Sequence, residues 1–345
     1  MARSDRFLKA CRREAVDCTP IWLMRQAGRY LEEYRAIRKG HSFIEMCTTP
    51  ELAAEVTLQP VRRFDLDAAI IFSDILLPLQ ASGVDLTFTD SEGPRILKPV
   101  RTVEDIDKMR PAEPEQGMTY LLDTISLVRR ELDGSIPLIG FCGAPFTLAS
   151  YLVEGGGSKT YTLTKQMMYT QPDLFHRLME RVTDIAIACA NGQIRHGAQA
   201  FQVFDSWVGT LSRSDYEEFV FPYTSRLFSS LDRSVPSIHF ALHAFHMTDL
   251  VKRSGGDVIG IDWQTPLDVA WQALGPGRAI QGNLDPAALF GSSDYLHKQV
   301  RTILAAARDV KGHIFNLGHG ILPGTPPENV AILVDLVHRE SARPL

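Results

Sequence analysis

The chain has no closely spaced cysteine pair, no apolar run long enough to cross a bilayer and no surplus of basic charge. Its five cysteines, Cys11, Cys18, Cys47, Cys142 and Cys189, are odd in number and widely spaced, which argues against a disulfide framework or a thiolate metal cage. They read as reduced thiols. The opening Met1-Ala2-Arg3-Ser4-Asp5-Arg6 lacks the apolar core of a signal peptide, so the expected compartment is the cytoplasm, with no membrane partner. A net charge of −5 supplies no global basic field, and no nucleic-acid partner is expected. The usual dinucleotide-binding glycine fingerprint is missing after the first expected strand, as is an H-E-x-x-H. Gly155-Gly156-Gly157-Ser158-Lys159 lacks the Walker spacing and reads as a flexible loop able to cover a ligand. With no repeat, low-complexity tract or linker, residues 1–345 read as one domain.

What is present is an alternation. Short apolar runs bounded by polar residues suit parallel strands covered on both faces. Such runs occur at Pro20–Leu23, Ala68–Phe72, Ile136–Phe141, Ala200–Phe204, Ser237–Phe240, Val258–Ile261, Ala279–Gln281 and His313–Phe315. Helical patterns separate nearly all of them. The clearest spans Asp173–Ile194, with Leu174, Leu178, Val182, Ile185, Ala186, Cys189 and Ile194 at helical spacing. Others are expected over Tyr30–Lys39, from Thr49-Pro50-Glu51 to about Arg63, over Val103–Met109 and over Met118–Leu132. Eight strands alternating with helices predict an α/β fold, a single (β/α)8 barrel. An open doubly wound sheet is the competing architecture. A small hairpin insertion near 84–98 is expected from Val84–Phe88 and Arg95–Lys98, joined through Asp90-Ser91-Glu92-Gly93-Pro94. The basic residues Arg3, Arg6, Lys9, Arg12 and Arg13 read as a solvated helix face or a cover over a site.

In a barrel of this kind the functional residues follow the C-terminal ends of the strands. The exits here are Arg25 and Arg29; Asp74; Gly143 with Tyr151; Asp205-Ser206; His243 and His246; Asp262; Asn283 with Asp285; and Asn316 with His319. Asp285 before Pro286 reads as a helix cap. Met24-Arg25-Gln26-Ala27-Gly28-Arg29-Tyr30 brings two guanidinium forks and a glycine to the end of a strand, which suits a carboxylate or phosphate. The alternative is a solvated basic turn with Arg29 paired to a nearby Glu. Asp74, between Phe72 and Ile75-Leu76-Leu77, must find a partner or pay for desolvation. His239, His243, His246, His313 and His319 invite a metal reading, yet Pro236–Phe240 reads as strand, so the first three need not converge.

Several of these segments occur together elsewhere. Arg25-Gln26-Ala27-Gly28-Arg29-Tyr30, Ile71-Phe72-Ser73-Asp74-Ile75, Gly143-Ala144-Pro145-Phe146-Thr147-Leu148-Ala149-Ser150-Tyr151, Phe204-Asp205-Ser206-Trp207, Gln281-Gly282-Asn283-Leu284-Asp285-Pro286 and Asn316-Leu317-Gly318-His319-Gly320-Ile321 resemble, in content and order, the uroporphyrinogen decarboxylase family of porphyrin and haem biosynthesis. The resemblance implies a (β/α)8 barrel, a homodimer with facing clefts, and neither metal nor organic cofactor. It implies a carboxy-lyase whose partner is a small-molecule tetrapyrrole. The four acetate side chains of uroporphyrinogen III would become methyl groups, giving coproporphyrinogen III and four molecules of carbon dioxide. It makes Asp74 the central anion under the pyrrole N–H groups. Arg25 and Arg29, with the intervening Gln26, Ala27 and Gly28, would bind substrate carboxylates, and one of the arginines or a water they hold would deliver a proton. Tyr151, Ser206 and His319 would bind substrate, Tyr151 and His319 orienting a reacting acetate or relaying a proton.

One segment departs from the pattern. Where the family continues its fifth strand with a Gly-Thr-Gly-like loop, this chain has Phe240-Ala241-Leu242-His243-Ala244-Phe245-His246. Two other readings share the residues. A zinc- and corrinoid-dependent methyltransferase of the same superfamily would need a His-x-Cys and a late Cys, where His239-Phe240-Ala241 and His319 stand. A silent tetrapyrrole-binding protein would bind without releasing carbon dioxide.

Overall fold

A computed structural model describes residues 3–89 and 93–343. Its strands, in chain order, are β1 (Ala69–Ile70), β2 (Leu86–Thr89), β3 (Gly93–Ile96), β4 (Leu138–Gly143), β5 (Ala200–Asp205), β6 (Ser237–Ala241), β7 (Val258–Gly260), β8 (Ala279–Gln281) and β9 (His313–Ile314). Seven of them form one parallel sheet in the order β1-β4-β5-β6-β7-β8-β9. Pro20–Trp22 closes the ring. Phe315 N–H donates to Pro20 O at 2.8 Å on one side, and Asp67 N–H donates to Ile21 O at 2.8 Å on the other. The fold is therefore the expected (β/α)8 barrel. Its first stave appears only as the bridge Ile21↔Phe315. Pro20 has no N–H to give a ladder, and the chain turns away at once, Gln26 N–H reaching back to Leu23 O at 2.9 Å.

Parity along the strands sorts the apolar residues into two layers. Trp22, Ile70, Ile139, Ile238, Phe240, Val258 and Ile314 pack together in the barrel interior. Their neighbours Ile21, Phe201, Val203, Ile259, Ile280 and Phe315 face the helices. Burial on both faces explains why the strands read as unbroken apolar runs rather than alternating ones.

The N-terminal helix, Arg3–Cys11, corrects the reading of that segment as a solvated face. Phe7, Ala10 and Cys11, at helical spacing, join the interior cluster and stopper the barrel. Arg6 is tied to Asp17 at 2.9 Å and to the buried Asp67 at 2.5 Å. The plug lies at the end opposite Arg25 and Asp74, since Asp67 precedes β1 and Asp74 follows it.

The long helix runs Pro172–Arg195, and its buried Leu178, Val182, Ile185, Ala186 and Cys189 are those of the sequence pattern. The charged helix begins at Glu32 rather than Tyr30, because Tyr30 is buried with its hydroxyl donating to Gln26 O at 2.8 Å. The hairpin is present with Leu86 opposite Ile96 and Phe88 opposite Pro94. Its second strand starts at Gly93 rather than Arg95, and Asp90-Ser91-Glu92 of the expected turn lie outside the described residues. The glycine loop is tied against the hairpin by Ile96 N–H donating to Gly155 O at 2.9 Å.

Candidate active site

The loop after the first stave is shaped by buried amides. Gln26 is fully buried; its Oε1 accepts Leu23 N–H at 3.0 Å and its Nε2 donates to Ala68 O at 3.1 Å. Asn316 Oδ1 accepts Met24 N–H at 3.0 Å, joining the first stave to the last. Between these anchors Arg25 adopts a left-handed backbone, φ 61°, and its side chain is turned out to the open mouth. Gly320 makes room for it: a Cβ there would stand 2.3 Å from Arg25 Cδ. Ala27 and Gly28 are half-buried, and Arg29 is exposed. The Glu nearest in sequence, Glu33, is held by Arg63 at 2.9 Å. Neither Arg25 nor Arg29 forms an ion pair among the described residues.

Asp74 leaves β1 as expected and sits partly covered at the cleft, its Oδ1 accepting Leu76 N–H at 2.9 Å. Burial pushes its carboxyl up to about 6, opposed by that hydrogen bond and by the Arg25 charge. Tyr151, on the helix Pro145–Glu154 that follows β4, has its phenol pushed up to about 12 by burial and by Asp74, with Arg25 opposing. His319 is pushed down to about 4 by burial, by Arg25 and by His243. The Arg25 charge therefore bears on Asp74, Tyr151 and His319 alike. Arg29 is exposed on the same loop.

Aromatic rings wall the mouth. Tyr151 and Tyr161 flank Trp207 with centroids at 5.9 and 5.5 Å, beside the partly buried Ser206. Across the cleft Trp263 meets His319 edge-on at 6.2 Å and His243 at 5.5 Å. Tyr161 and Trp263 were not singled out in the sequence. The position of Trp263, one residue beyond the exit Asp262, was the available signal.

Other strand exits build the scaffold. Asp205 faces out of the barrel, where it accepts from the Thr147 hydroxyl at 3.1 Å. Asp262 accepts His243 N–H at 2.6 Å and Gln264 N–H at 2.9 Å. Asn283 donates to Asp262 O and Thr265 O at 2.7 and 2.6 Å. Asp285 caps as expected, accepting Ala287 N–H at 2.8 Å. The histidines diverge: His239 packs on Phe228 in the helix layer, His246 bonds Leu211 O, His313 bonds Gly282 O, and His243 bonds Gln264. Among the described residues no three His, Cys, Asp or Glu side chains are grouped to hold a metal.

A family model described as uroporphyrinogen decarboxylase (URO-D) matches residues 2–340. The uroporphyrinogen decarboxylase of Carboxydothermus hydrogenoformans is 54% identical over 340 residues, 98% of this chain and 97% of that protein. That of Geobacter metallireducens is 51% identical over 341 residues, 99% of this chain and 100% of that one. Among solved structures, a methyltransferase from Methanosarcina mazei superposes with a TM-score of 0.82, covering 99% of both chains at 18% identity, and so shares the fold.

Proposed function

The chain belongs to the uroporphyrinogen decarboxylase family and is a carboxy-lyase, and we propose that its reaction is organised around Asp74 at the C-terminal mouth of the barrel. The observation that carries this is a single partly buried carboxylate facing an unpaired guanidinium, Arg25, with a phenol and a neutral imidazole around the same charge. The substrate, uroporphyrinogen III, is a neutral macrocycle carrying eight carboxylates. Its core asks for an anion and its rim for cations.

With its carboxyl at about 6, Asp74 is ionised over protonated by about ten to one at pH 7. It accepts the pyrrole N–H groups and favours positive charge in the ring. A proton is added to the ring carbon next to the one that bears the acetate, so that the acetate-bearing carbon shares the positive charge with the ring nitrogen. The C–C bond to the carboxylate then breaks, its electron pair neutralises the cationic ring, and carbon dioxide leaves. Protonation of the exocyclic carbon and loss of the ring proton restore the pyrrole with a methyl group, for a net uptake of one proton per carbon dioxide. Four such rounds give coproporphyrinogen III. Arg25 binds the reacting or neighbouring carboxylate close to Asp74, and Arg29 gathers carboxylates farther out. Arg25, or a water it holds, supplies the first proton. Tyr151 stays a neutral O–H donor and His319 a neutral imidazole at working pH, which suits both to orient an acetate or relay a proton. Ser206 donates to a side-chain carboxylate. Ala27 and Gly28 present backbone on the same loop, and Gln26 holds that loop in place. The reaction uses no cofactor.

We further propose one domain, a homodimer and a cytoplasmic site of action in haem biosynthesis; among the described residues no helix is long and apolar enough to cross a membrane. The deciding experiment incubates the protein with uroporphyrinogen III and follows stepwise loss of carboxyl groups by chromatography. Tetracarboxylate product confirms the reading, and binding without carbon dioxide release would leave a carrier. The methyltransferase fold neighbour motivates one control: stoichiometric zinc on the purified protein would favour transfer chemistry.

A further inference from the structure

Among the described residues five non-glycine residues have a left-handed backbone, and three of them, Arg25, Tyr161 and His243, stand at the cleft. Arg25 has a role in the reaction and Tyr161 packs on Trp207, but the His243 ring is so far without one. Its φ of 56° suits glycine and few other residues, histidine being one of the more tolerant. Such strain persists only where the surroundings over-determine it. Here they do. His243 N–H donates to Asp262 Oδ2 at 2.6 Å. From the loop after β5, Gly209 presses so close that a Cβ there would lie 2.4 Å from Leu242 O and 2.5 Å from His243 Cβ.

The ring is oriented as firmly as the backbone. Nδ1 lies 2.9 Å from Gln264 Oε1, which only accepts, so Nδ1 carries a hydrogen and Nε2 is the nitrogen left free. Asp262 Oδ2 stands 3.8 Å from Nδ1, so a carboxylate backs the ring on the side away from Nε2. The side chain remains 41% exposed, and Trp263 separates it from His319 on the wall of the mouth. We propose that His243 is a substrate-binding residue whose ring, carrying a hydrogen on both nitrogens when substrate is bound, donates Nε2–H to a substrate carboxylate and extends the cationic rim begun by Arg25 across to the β6 loop. The proposal rests on the tetrapyrrole reading, since only a ligand with carboxylates spread around a ring reaches both sides.

The test compares wild type, H243G and H243N with uroporphyrinogen III, reading KM, kcat and melting temperature. Loss of one charge-assisted hydrogen bond should raise KM about tenfold in H243G with kcat little changed. The melting temperature of H243G should hold or rise, because glycine fits the backbone. H243N tolerates the same backbone with a shorter side chain and should also raise KM severalfold. Wild-type KM in both variants would overturn the proposal. Failure of the wild type to release carbon dioxide would instead remove the functional reading beneath it.

Discussion

Replacing Asp74 by asparagine should make the protein more stable and nearly inactive. Asparagine keeps the shape and can still accept the Leu76 N–H, so the perturbation is the charge alone. Burial raises the carboxyl from 3.8 to about 6, equivalent to about 3 kcal/mol at roughly 1.4 kcal/mol per pH unit. The group is partly open to the cleft, so about 2 kcal/mol is the expected effect. The folded protein binds this proton more tightly than the unfolded chain. Stability is therefore lost as pH rises from about 4 to about 6, and the full cost of the ionised carboxylate is present above that. The variant escapes this cost. Urea or thermal melts at pH 4.5 to 8 should show the two proteins converging at the acid end. At pH 7.5 the variant should lead by about 2 kcal/mol, about 3 °C for a chain of this length. Turnover of uroporphyrinogen should fall by about 10² to 10³, as when a preorganised electrostatic group is lost. A variant less stable at pH 7.5, or a gap that does not widen with pH, would refute the reasoning.

For the wild type, kcat/KM should drop below pH about 6 as Asp74 takes up its proton, while His319, at about 4, adds no limb between pH 5 and 8; a flat profile down to pH 5 contradicts the assignment. Gly320→Ala drives a methyl into the Arg25 side chain, which can swing away, so steady-state kinetics should show KM up about tenfold with the melting temperature nearly unchanged. Gln26→Ala leaves Leu23 N–H and Ala68 O unpaired in the interior and should cost about 2–3 kcal/mol by urea titration. Asp67→Asn should destabilise by about 3 kcal/mol in the same titration, opposite in sign to Asp74→Asn.

The barrel was legible because parallel strands covered on both faces leave continuous apolar runs, and the helices between them keep a helical spacing. The first stave was legible as apolar sequence but not as a bridge of one residue, since nothing local says that Pro20 and the turn at Gln26 would cut its ladder short. The plug at the barrel's other end was missed for a different reason. Phe7, Leu8, Ala10 and Cys11 are only four apolar residues among five basic ones, and the charges dominate the composition while the apolar face decides the packing. Within the cleft, residue type and strand position located Arg25, Asp74, Tyr151 and His319. They could not separate Asp205 from Ser206, because one step along a strand reverses the direction of the side chain, and Asp205 points to the helices. Nor could they reveal that Gln26 spends its amide on the scaffold.

The two aspartates flanking β1 show why one carboxylate reads as structure and the other as function. Asp67, fully buried, receives Ile21 N–H at 2.8 Å, Arg6 at 2.5 Å and His338 Nε2 at 2.7 Å. Its charge is answered on every side, so it ties the N-terminal plug, the first stave and the last helix, Pro327–Glu340, to one point. Asp74, seven residues on, has one backbone N–H and an arginine that influences it without pairing. An ionised group so sparsely served is a cost to the empty protein. The cost falls when several N–H donors or a developing positive charge arrives at the same oxygens, and the tetrapyrrole reaction we propose, with its cationic intermediate, brings both. Supplying Asp74 with the partners that Asp67 enjoys would stabilise the fold while spending the interaction meant for the transition state. On the proposed mechanism, the uneven treatment of two identical side chains, one at each end of a strand, keeps the barrel stable at its base and reactive at its mouth.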